Sequence, residues 1–212
     1  MKKTVSIIMA LVIMTAAVML TSCDGKPAES DAVTTAAETK EITVPEATLH
    51  YVNADIYADK TTAEANGLKV ADNASISGWF KEKVEFDENF EIKLPDEFNN
   101  ISSYVLRIAQ GQYIEEVTVL KASDASAVEA VKALAEYRLN KQKSNNDFKL
   151  YDDEKGTNAK MIDTGKVVVS GNFVVYAVTE NTEVSVARAQ KFAQEHPDAS
   201  AYELYKAIVT EE

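Results

Sequence analysis

From Tyr104 to Ile108 the period-two positions Tyr104, Leu106 and Ile108 fall on one side of an extended segment. After Gln110-Gly111-Gln112 a second extended run, Tyr113 to Lys121, follows, and the glycine between them predicts a tight hairpin. The period then changes. From Ser123 or Asp124, either a natural N-cap, the chain gathers Val128, Val131, Leu134, Ala135 and Leu139 on one helical arc. Lys149 to Ala159 reads as an acidic loop. Lys166–Ser170 and Phe173–Val178 flank Gly171-Asn172 and predict a second hairpin, of type II′, with glycine at positive φ. Thr182 to Glu195 is predicted helical and ends before Pro197, and Asp198 is expected to cap a last helix carrying Ala201, Leu204, Tyr205 and Ile208. Asp72 to Lys83 predicts a short helix with Ile76, Trp79 and Phe80 inward. The expected fold is α+β: a mainly antiparallel sheet built from two β-hairpins, with helices packed on one face.

The N-terminal pattern is of a different kind. Lys2 and Lys3 precede an uncharged apolar run, Thr4 to Leu20, and Leu20-Thr21-Ser22 leads into Cys23, the only cysteine of 212 residues. Basic, apolar and small-residue zones in this order make an export signal. As a helix the run would reach about 26 Å, the short end of a membrane span, so length alone leaves an uncleaved anchor open. The branched residue three before the cysteine, followed by two small ones, favours the lipobox read by signal peptidase II. Residues 1–22 are then the signal peptide, and Cys23 becomes the mature N-terminus, with a diacylglyceryl group on its sulfur. A thiolate is the side chain nucleophilic enough near neutral pH to form that thioether. Each buried methylene adds about 0.8 kcal/mol of membrane affinity, and two acyl chains hold where one gives only marginal binding.

Removing residues 1–22 takes away Lys2 and Lys3 and no acid, so 22 basic residues become 20 against 34 acidic ones, a net charge of −14. Such a chain is repelled by phosphate backbones, which argues against nucleic acid as a partner. Residues 23–47 contain almost no large apolar side chains and read as a lipidated N-terminus and flexible tether, with an r.m.s. reach of about 25–30 Å. Residues 48–212 suffice for one extracytoplasmic domain, expected to be monomeric.

The segment EEVTVLKA, the helix ending YRLNKQK and the hairpin VVVSGNFVVYAV together resemble the bacterial lipoproteins grouped as domain of unknown function 4358. The likeness covers roughly Leu68 to Glu180 and is most specific over Glu116–Ala122 and Gly171–Tyr176. It implies an anchored envelope protein and carries over no catalytic residue.

Candidate chemistry is sparse. His50 and His196 lack partners at metal-ligand spacing, and His196, before Pro197, is expected to meet terminal helix carbonyls. With Cys23 lipidated there is no thiol nucleophile, and no GxSxG elbow is present. Asp152-Asp153-Glu154 with Gly156 and Asn158 suggests calcium, but in an EF-hand register Tyr151 stands where an aspartate must be. Arg138 falls inside the apolar arc of the long helix. It is expected to lay its stem on apolar surface and send its head to water; an anion contact in a pocket is the alternative.

The sequence therefore predicts a lipoprotein on the outer face of the bacterial cytoplasmic membrane, held there through Cys23. Its domain is expected to be a non-enzymatic binding or interaction module, without catalytic residues, metal or cofactor, for an envelope protein or wall ligand. A solute-binding accessory of a transporter and a cell-wall hydrolase using paired carboxylates remain open.

Overall fold

The computed structural model describes residues 54–80, 85–86, 88–89, 92–94, 96–110, 113–145, 152 and 156–210. In chain order the elements are β1 (Asp55–Ala58), α1 (Lys60–Asn66), β2 (Lys69–Val70), α2 (Asn73–Phe80), β3 (Glu85–Phe86), β4 (Ile92–Lys93), a 3-10 turn (Asp96–Asn100) and β5 (Ile101–Ile108). Then come β6 (Glu116–Ala122), α3 (Val128–Ser144), α4 (Thr157–Thr164), β7 (Lys166–Ser170), β8 (Phe173–Val178), α5 (Thr182–Glu195) and α6 (Ala201–Val209).

Six strands form one sheet in the order β2-β1-β5-β6-β8-β7, and β3 pairs with β4 apart from it. β1 and β2 run parallel, and every other neighbouring pair is antiparallel. The α+β class and the mostly antiparallel sheet agree with the sequence. Two hairpins alone do not make this sheet, because β1 adds to the edge of β5 and β2 to β1. Ile108 lies opposite Glu116, so residues 109–115 connect β5 to β6 where a three-residue turn was expected. Gly111 and Gln112 lie outside the described residues. Between β7 and β8, Ser170 lies opposite Phe173, and Gly171 has φ 57°, the left-handed value required at the first position of a primed two-residue turn.

Helices cover both faces of the sheet, not one. Strand side chains alternate between the two faces. Leu106, Leu120, Val174 and Tyr176 therefore share a core with Trp79 of α2, Val131 and Leu134 of α3, and Met161 of α4. Val105, Val117, Val119 and Val175 face the other way, against Ala189 of α5 and Leu204, Tyr205 and Ile208 of α6. All six residues of β8 are buried, as a strand with no solvated face must be.

Local chemistry sets several boundaries. Asp59 caps α1 by accepting from the Thr62 amide at 3.0 Å, and it also accepts from the Tyr104 amide at 3.1 Å, pinning the helix start to β5. Asp124 accepts from the amides of Ser126 and Ala127 in a turn, so α3 starts later than the expected cap implied. For α6 the cap is Ser200, not Asp198. Its hydroxyl accepts from the Glu203 amide while the Glu203 carboxylate accepts from the Ser200 amide, a reciprocal box that needs Ser or Thr three residues before Glu.

Candidate functional site: a buried carboxylate beneath two helices

Glu116 opens β6 on the face covered by α2 and α3, and only 1% of it is exposed. A carboxylate taken out of water must find donors or lose its charge. Here α3 supplies two, because Arg138 and Gln142 lie one turn apart on the same side of the helix. Arg138 Nη2 donates to Glu116 Oε2 at 2.9 Å, and Gln142 Nε2 donates to the same oxygen at 3.1 Å. From α2, Trp79 Nε1 donates to Oε1. The Thr118 hydroxyl, two residues along β6, stands 3.4 Å from Oε1 as a weak fourth donor.

The network continues into β8, where the Tyr176 hydroxyl donates to Gln142 Oε1. Gln142 thus relays between phenol and carboxylate, using its amide as donor and its carbonyl as acceptor. Trp79 meets Tyr176 edge-to-face at 5.8 Å, and the Arg138 guanidinium lies over the Trp79 ring at 5.6 Å. Burial works against the Arg138 charge, but Glu116 outweighs it and holds the guanidinium above its ordinary pKa. Burial pushes the Tyr176 phenol well above its usual value, and the Glu116 charge adds to the shift. The Arg138 Nε is buried with no acceptor among the described residues.

Chemically this arrangement holds a charge in place. A general base needs an oxygen lone pair within reach of a substrate proton. Both Glu116 oxygens are already occupied by donors from α2, α3 and β6, so the cluster ties two helices to the sheet.

The residues singled out from sequence fall differently. Leu20, Thr21, Ser22, Cys23 and His50 lie outside the described residues. The His196 ring packs against Phe192 at 4.6 Å, so its position is one of aromatic contact, while its backbone amide donates to the Phe192 carbonyl. Asp152 accepts from the amides of Asn158 and Ala159 at 2.8 and 3.1 Å, acting as the anion at the start of α4. Asp153 and Glu154 lie outside the described residues, and among the described ones no group of three or more His, Cys, Asp or Glu could hold a metal ion. No described helix is long and apolar enough to cross a membrane. Arg138 corrects an expectation: its side chain is 22% exposed, but its head turns inward to Glu116 and not to water. Glu116 and Gln142 were missed, although an acid heading an apolar strand and an amide one turn after a core-facing arginine were both visible.

The fold and cluster define an α+β domain with a sheet covered on both faces and, on one of them, a buried carboxylate that accepts from arginine, glutamine and tryptophan. Residues 81–179 match the family described as Domain of unknown function (DUF4358). That stretch carries Glu116, Arg138, Gln142 and Tyr176; Trp79, α5 and α6 lie outside it. No curated protein and no solved structure matches the chain.

Proposed function

We propose that this protein is a lipoprotein of the bacterial cell envelope, anchored on the outer face of the cytoplasmic membrane through Cys23, whose domain is a non-enzymatic binding or interaction module. The observation that carries the reading is Leu20-Thr21-Ser22-Cys23 behind the apolar run Thr4–Leu20. The commitment of Glu116 to donors from α2, α3 and β6 supports the non-enzymatic half, since both oxygens of the candidate site's buried acid already accept from protein groups. The partner is an envelope protein or a wall-associated ligand, reached by a domain standing off the membrane on the tether of residues 23–47.

The test is metabolic labelling of the full chain with palmitate in a bacterial host. The proposal expects label on the wild type, partition into detergent, and loss of both in Cys23→Ala. Equal labelling of the two chains overturns it. Crosslinking in native membranes then identifies the partner.

A further inference from the structure

We draw no further inference here: the strongest candidate, the Arg138 guanidinium at the rim of the Glu116 cluster between α2 and α3, belongs to the site already described, and its Nε, which has no acceptor among the described residues, is buried away from any approaching ligand.

Discussion

Glu115 and Glu116 are neighbours in the chain, and each is 1% exposed, yet they are sent to opposite faces of the sheet and meet arginine in different ways. On the face of α2 and α3, Glu116 takes Arg138 at 2.9 Å together with donors from Trp79 and Gln142. On the face of α5 and α6, Glu115 stands 3.6 Å from Arg107, beyond hydrogen-bond length. The first pair joins a strand to a helix; the second joins β5 to the residue that enters β6. A buried ion pair recovers its desolvation cost only when its geometry is good and its remaining donors and acceptors are satisfied. By that measure Glu116 fixes how a helical layer docks, whereas Glu115 and Arg107 lie within a layer docked mainly by apolar contact.

The largest effect is expected from Glu116→Leu. It leaves Arg138 without its anion and Trp79 Nε1 without its acceptor, and should lower stability by about 3–5 kcal/mol, read as a shift of the urea midpoint at unchanged slope. A loss below about 1 kcal/mol would remove the distinction between the faces.

Alkaline titration should treat the two faces alike. Burial pushes both Tyr104, on the first face, and Tyr205, on the second, up to about 12. A raised phenol pKa means that the folded state resists ionisation. The stability it supports is complete below about pH 10 and is lost as pH rises toward 12, by on the order of 2–3 kcal/mol per tyrosine. Tyr104→Phe and Tyr205→Phe should each flatten this limb by similar amounts in urea melts between pH 9 and 12. A limb carried by only one of them would show that burial is unequal.

Changes in the shared sheet should be smaller and should not discriminate between faces. A Cβ on Gly171 would meet nothing within 4 Å, so the penalty of Gly171→Val is backbone strain at φ 57°, about 1–3 kcal/mol. Asn172→Val should cost less; equal urea midpoints for the two variants would exclude a turn that depends on glycine. The smallest effect is expected from Tyr176→Phe. It takes the donor from Gln142 Oε1 and should cost about 1 kcal/mol while leaving the ring contact with Trp79 in place.

Periodicity made much of this fold legible. α5 runs from Thr182 to Glu195 as read, and α6 buries the stripe Ala201, Leu204, Tyr205 and Ile208. β1 and β2 escaped because Asp55–Ala58 and Lys69–Val70 are too short to show a period, and their pairing is non-local. α4 escaped because its capping carboxylate, Asp152, comes from six residues before Asn158, outside any local cap pattern. The second helical layer was in fact signalled. Phe173-Val-Val-Tyr-Ala-Val178 is apolar at every position, which marks a strand covered on both sides, whereas helices on one face were expected. The candidate cluster was legible only in part: Arg138 stood out within an apolar arc, but its partner lies 22 residues back on another element, where no spacing rule reaches.

The central claim is that Glu116 is held by Trp79 and Gln142 as well as by Arg138, whereas Glu115 faces Arg107 as an ion pair at 3.6 Å. The most direct test compares two double variants by urea denaturation, Glu116→Leu with Arg138→Met and Glu115→Leu with Arg107→Met. In the first, Trp79 Nε1 and Gln142 Nε2 still lose their acceptor, so it should remain destabilised by about 1–3 kcal/mol. The second replaces a pair 3.6 Å apart with apolar volume and should be neutral or more stable than wild type. Equal midpoints for the two variants, or the reverse order, would contradict the account.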